Sequence, residues 1–228
     1  FQQAISGSDD YWPDLKSLTR QGLSAVAVYE HLAVADVQAA ADVLLPPYRQ
    51  SDALDGYVSL EVSPLLAHDC ARTIGEAQRL WAWLDRPNVL IKVPATPEGV
   101  PAIEELIAAG INVNVTLIFA PEQYGQIALA YIRGLERAAA AGLDVSRIRS
   151  VASLFVSRLD AKVDPLLVRQ GATSLLGQVA LANAKLCYQQ FGVLFGDARW
   201  RHLADQGACV QRPLWASTSA KNPAYRDT

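Results

Sequence analysis

Apolar and polar residues alternate with period two in five short runs of this chain: residues 56–63 (GYVSLEVS), 88–95 (NVLIKVPA), 111–119 (INVNVTLIF), 150–155 (SVASLF) and 210–217 (VQRPLWAS). That spacing predicts five half-buried β-strands. Between them apolar positions recur at helical spacing, over residues 65–84, 99–109, 121–141 and 160–191, followed by 198–206. Residues 9–46, ahead of the first strand, also read as helical, with Val34, Val37, Ala41, Leu44 and Leu45 on one stripe. The punctuation agrees: Pro64, Pro97 and Pro121 stand near predicted helix starts, and Gly110 and Gly142 stand just past predicted ends.

Strand and helix in alternation predict parallel pairing through crossover helices, the α/β class. The strand faces then choose between its two common forms. Ser59, Glu61 and Ser63 alternate with Val58, Leu60 and Val62, and Asn112, Asn114 and Thr116 alternate with Val113, Val115 and Leu117. A doubly wound sheet is apolar on both faces, whereas a polar inner face under an apolar outer one suits a (β/α)8 barrel of the TIM type. We therefore expect residues 1–228 to be a single barrel domain with about five strands present. An eight-fold barrel usually takes about 250 residues or more. The sequence begins at Phe1 and contains no methionine, so we expect a domain incomplete at both termini.

Twenty Lys and Arg against twenty-three Asp and Glu leave a net charge of −3. No basic field is available to hold nucleic acid or an anionic membrane surface. No apolar run reaches the roughly 18 residues of a membrane span, and the N-terminus has no signal-peptide pattern. Cys70, Cys187 and Cys209 are odd in number and widely spaced, which points to a reducing compartment and hence a soluble, cytoplasmic chain. His31, His68 and His202 show no ligand spacing, so no metal site is expected. Nucleotide-binding and serine-hydrolase motifs are missing too, and no cofactor is expected.

Lys92 is the most informative of the five lysines, because it alone lies inside an apolar strand, Val89-Leu90-Ile91-Lys92-Val93-Pro94. Burying an ammonium there is costly unless it is paired or gives up its proton, and the neutral amine is the form that attacks a ketone. On pattern alone it reads either as a Schiff-base nucleophile or as a structural ion pair. Glu61 has the same inward phase one strand earlier and reads as a proton shuttle or as the counter-ion of Lys92. Asn114, Thr116 and Ser153 are neutral donors and acceptors facing the same interior, suited to a hydroxyl-rich ligand or to a satisfied polar core. Arg158 follows the fourth strand, and Ser217, Thr218, Ser219 and Lys221 follow the fifth. Cations and hydroxyls at the ends of late barrel strands fit a phosphate site, and equally an exposed surface.

The segments VSLEVS, IKVPATPEG, GINVNVTLIF and RPLWASTSAKNPAY, in this order over essentially the whole chain, resemble the transaldolases. The similarity is to the bacterial branch whose members are sometimes fused to a phosphoglucose isomerase. That resemblance implies a metal-free, cofactor-free Schiff-base enzyme on a class I aldolase barrel. It would act in the pentose phosphate pathway, moving a dihydroxyacetone unit between sugar phosphates. It implies Lys92 as the Schiff-base lysine, Glu61 as the glutamate working through a water, and Asn114 and Thr116 as contacts to the intermediate and that water. Ser153 would bond the dihydroxyacetone unit, and Arg158, Ser217 and, more loosely, Lys221 would hold phosphate. The partners implied are sugar phosphates, with a homo-oligomer or a fused isomerase domain left open. The family's acid/base aspartate and an Asn-Pro strand would precede Phe1, and further barrel elements would follow Thr228. A simple Schiff-base aldolase, or a non-catalytic sugar-phosphate binder, are the alternatives.

Overall fold

The computed structural model describes residues 2–220, 222 and 225. The chain order is α1 (Gln2–Gly7), α2 (Trp12–Arg20), α3 (Ala25–Gln50), β1 (Val58–Glu61), α4 (Cys70–Leu84), β2 (Val89–Pro94), α5 (Gly99–Ala108), β3 (Val113–Ile118), α6 (Pro121–Ala140), β4 (Ser150–Phe155), α7 (Ser157–Arg169), α8 (Val179–Leu194), α9 (Ala198–Ala204) and β5 (Arg212–Ala216). All five predicted strands form, and they lie in one sheet in chain order, β1 to β5. From β2 to β5 each pairing is parallel, as the crossover helices require. Sequential parallel order is that of a barrel wall. A doubly wound sheet reverses order at a switch point instead.

The described residues group into two compact units, Phe1–Leu60 with Arg79–Val89, and Glu61–Gln78 with Leu90–Thr228. In the first, Ser24 caps α3 by accepting from the Ala27 N–H, and Val28, Leu32, Val34, Val37 and Ala41 are buried. Gln38 donates to the carbonyls of Trp83 and Leu84, and the buried Asn88 donates to those of Ala41 and Gly56. The expected continuous helix over residues 9–46 is broken after Arg20, where Gly22 turns left-handed (φ 77°). At its other end α3 runs on through Pro46 and Pro47 to Gln50. The carbonyls that lose their helical donors belong to Asp42 and Val43, on an exposed face where solvent can replace the missing N–H groups.

The second unit carries the sheet interior. Ile91, Val93, Val113, Val115 and Ile118 are fully buried, as are Ile103, Leu106 and Ile107 of α5 and Ile127, Ile132 and Leu135 of α6. Each such side chain contributes about 1.5–3 kcal/mol when removed from water. Close approach is built in at two glycines. A Cβ on Gly134 would lie 2.7 Å from Cβ of Ile107 and 2.8 Å from the Glu104 carbonyl, and one on Gly99 would lie 2.1 Å from the Pro94 carbonyl. Gly99 therefore lets α5 begin directly against the end of β2.

Three expectations need correction here. The helical pattern over residues 160–191 is two helices, starting earlier at Ser157 and separated by left-handed Gly171 and Gly177. The Asp164 carboxylate accepts from the Gly177 N–H and that of Asp160 from the Ala180 N–H, which fixes the break. The pattern over residues 65–84 is a 3-10 turn, Pro64–Leu66, followed by α4. Finally, β3 does not alternate to its end. Its register with β4 shifts between Val115 and Ile118, Leu117 adopts φ 61°, and Leu117 is exposed while Ile118 is buried. A left-handed leucine costs about 1–2 kcal/mol, so its surroundings must hold it.

Candidate active site

Parallel register builds the polar row. Lys92 of β2 pairs with Asn114 of β3, and Pro94 with Thr116, and paired residues on neighbouring strands point to the same face. The row then spans four strands. Lys92 Nζ lies 3.7 Å from Glu61 Oε2, and Ser153 of β4 donates its hydroxyl to Asn114 Oδ1 at 2.8 Å. Asn114 and Ser153 are buried, whereas the side chains of Lys92 and Glu61 keep 29% and 47% of their exposure. Lys92 is thus less deeply buried than its apolar strand implied, and it has a carboxylate partner. An ion pair this open to solvent is worth about 0.2–1 kcal/mol, so a ligand can displace Glu61 from Lys92 at small cost. Thr116, 1% exposed, differs from the other members, because its Oγ1 finds no hydrogen-bond partner among the described residues.

A second cluster lies where β4 and β5 end. Ser217, directly after β5, is left-handed (φ 52°), and its carbonyl accepts from both the backbone N–H and the hydroxyl of Ser157, the latter at 2.6 Å. The two hydroxyl oxygens are 3.1 Å apart. Arg158 follows in the first turn of α7, exposed, with its guanidinium carbon 4.9 Å from the ring centre of Phe155. Stacking holds the guanidinium without consuming its donors. The Ser157 and Leu159 N–H groups at the start of α7 are already taken by the Ser217 and Val156 carbonyls, so the donors this corner offers an anion are the Arg158 guanidinium and the Ser217 hydroxyl. Lys221, the remaining predicted phosphate contact, lies outside the described residues. Two hollows of about 490 and 690 Å³ border Thr218, and Lys92 lines neither.

The structure therefore brings Glu61, Lys92, Asn114, Thr116 and Ser153 onto one row, with Arg158 and Ser217 at the next corner. Sequence reasoning missed Ser157 as the residue that ties Ser217 down, although a serine opening a helix directly after a strand was a usable signal. It also missed Gln123, on the first turn of α6. Among the described residues no three His, Cys, Asp or Glu side chains gather into a metal-holding group, and no helix is long and apolar enough to cross a membrane.

Parallel strands in chain order, each leading through a helix to the next and together carrying one inward lysine row, define a chain of the α/β-barrel class. A family model described as Transaldolase/Fructose-6-phosphate aldolase matches residues 1–228. The chain belongs to that family. It is 51% identical over 232 residues to the protein named Transaldolase 1 of Streptomyces avermitilis, covering all of this chain and 61% of that relative. It is 46% identical over 239 residues to Transaldolase 2 of Nostoc punctiforme and 48% identical over 231 residues to the Transaldolase of Thermobifida fusca, in each case over all of this chain and 63% of the relative. The chain thus spans about three fifths of the length of the curated relatives it matches.

Proposed function

We propose that the protein carrying this chain is a transaldolase, one barrel domain that transfers a dihydroxyacetone unit from fructose 6-phosphate or sedoheptulose 7-phosphate to an aldose phosphate acceptor. The observation that carries the reading is the Lys92 row: an accessible amine 3.7 Å from a carboxylate, continued by an amide and hydroxyls that can both donate and accept. Family membership over the whole chain supports it.

In this reading Lys92 Nζ attacks the C2 ketone of the donor. Glu61 passes protons, directly or through water, as the carbinolamine loses its hydroxyl as water and becomes an iminium. The iminium draws the electrons of the C3–C4 bond as it breaks, while a base takes the proton of the C4 hydroxyl and C4 becomes the aldehyde carbon of the shortened sugar. A three-carbon enamine remains on Lys92. Asn114 and Ser153 bond its hydroxyls, and Thr116 holds the water that serves Glu61. Addition of the enamine to the acceptor aldehyde and hydrolysis of the new iminium complete the transfer. Arg158 and Ser217 hold the phosphate, with Lys221 as a further cation. The reaction belongs to sugar-phosphate interconversion in the pentose phosphate pathway. Three free cysteines suit a reducing setting, the cytoplasm.

The family's own description names a second activity, fructose-6-phosphate aldolase, in which water discharges the enamine as free dihydroxyacetone. Product analysis decides between the two. With fructose 6-phosphate and erythrose 4-phosphate, a transaldolase makes sedoheptulose 7-phosphate and almost no dihydroxyacetone. Free dihydroxyacetone formed at the same rate with and without acceptor would establish the aldolase reading instead.

A further inference from the structure

Resting on the reading of the Lys92 row as the reaction site, we propose that Gln123 is a positioning residue, clamping the end of the lysine strand to the end of the Asn114–Thr116 strand. Its side chain makes three hydrogen bonds. Oε1 accepts from the Phe119 N–H at 2.9 Å, and Nε2 donates to the Ala95 carbonyl at 2.7 Å and to the Leu117 carbonyl at 3.2 Å. Ala95 lies three residues beyond Lys92, and Leu117 directly follows Thr116. The strand ends are already joined once, by the Ala95 N–H donating to the Thr116 carbonyl at 2.8 Å, and Gln123 adds a second tie across them.

The clamp falls where β3 leaves regular geometry. Leu117 is left-handed at the register shift, and Gln123 bonds the backbone on both sides of it, at the Leu117 carbonyl and the Phe119 N–H. Asn183 of α8 completes the hold by donating to the Phe119 carbonyl at 3.0 Å. The bulge directly follows Thr116, so any relaxation of it moves Thr116 and Asn114 relative to Lys92. Displacements of about 1 Å in such groups cost on the order of a hundredfold in rate. A carboxamide is the side chain that offers this set, one acceptor and two donors on one plane. Glutamate of the same length keeps the acceptor and turns a carboxylate oxygen toward two carbonyls.

The test uses Gln123→Met and Gln123→Glu in the full-length protein, assayed with fructose 6-phosphate and erythrose 4-phosphate. The expected result for Gln123→Met is a kcat at least tenfold lower with KM for fructose 6-phosphate within twofold. A kcat within twofold of wild type, or a raised KM with kcat intact, overturns the proposal. Should Gln123→Met fail to fold, Gln123→Glu decides through its pH profile. Protonation returns one donor, so its kcat relative to wild type rises as pH falls from 8 to 6, and a flat ratio overturns the proposal. A wild-type protein that forms no borohydride-trapped adduct with fructose 6-phosphate removes the functional reading, not the clamp. Amide hydrogen exchange at residues 117–119 then decides. Exchange at least tenfold faster in the folded variant supports positioning of the strand ends by Gln123, and unchanged exchange overturns it.

Discussion

Replacing Thr116 by valine should move stability and activity in opposite directions. Valine is close to threonine in shape and exchanges the hydroxyl for a methyl. The side chain is 1% exposed and its Oγ1 has no protein partner among the described residues; a buried hydroxyl that no water reaches until substrate binds costs about 1–3 kcal/mol. Valine removes that cost and adds about 0.8 kcal/mol for a buried methyl. The isostere should therefore stabilise the protein by about 2–4 kcal/mol. For a chain of this size that corresponds to a rise of at least roughly 4 °C in Tm. Activity should fall, because the hydroxyl is in the proposed mechanism the group that holds water for Glu61, and loss of an assisted proton transfer costs on the order of a hundredfold or more. Differential scanning calorimetry gives the first quantity and a coupled transfer assay the second. A fall in Tm of similar size would show that the hydroxyl is well bonded in the free protein. Unchanged kcat would remove it from the chemistry. Either result refutes the reasoning.

Two further expectations follow from the same structure. Arg158→Ala should raise KM for fructose 6-phosphate on the order of tenfold or more, the worth of a charge-assisted hydrogen bond, and leave turnover of unphosphorylated fructose unchanged; equal losses on both sugars would remove Arg158 from phosphate binding. Burial, reinforced by Glu122, pushes the Cys187 thiol from its ordinary 9.0 up to about 11. The unfolded chain releases this proton at lower pH than the native one, so the contribution to stability is fully present below 9.0 and is lost as pH rises toward 11. Between pH 8 and 10 the loss is on the order of 1–2 kcal/mol. Urea midpoints should therefore fall more steeply with pH in wild type than in Cys187→Ala, and parallel curves would contradict the assignment.

Much of this was legible in the sequence, for a physical reason. A strand buried on one face must alternate, and a lysine in phase with the polar positions of its strand must share a face with the residues in phase beside it. Lys92, Glu61, Asn114 and Thr116 were placed by that rule, and the observed register places them together. Helix breaks at Gly22, Gly171 and Gly177 were harder, because apolar spacing continues across them and a single glycine is tolerated in many helices. The bulge at Leu117 was invisible, since leucine carries no preference for positive φ and side-chain bonds from Gln123 and Asn183 hold the backbone there. The role of Gln123 was hidden for the same reason: its partners are backbone atoms of strands that come together only in the fold. Ser217 was found by position, but its strained backbone and its tie to Ser157 were not.

The central claim, that Lys92 is the nucleophile, is tested most directly by reduction with borohydride in the presence of fructose 6-phosphate and without acceptor, followed by mass spectrometry of the peptides. The account predicts a reduced three-carbon adduct on the peptide containing Lys92, abolished by Lys92→Met. An adduct on another lysine, or sugar turnover with no trapped adduct at all, would contradict it.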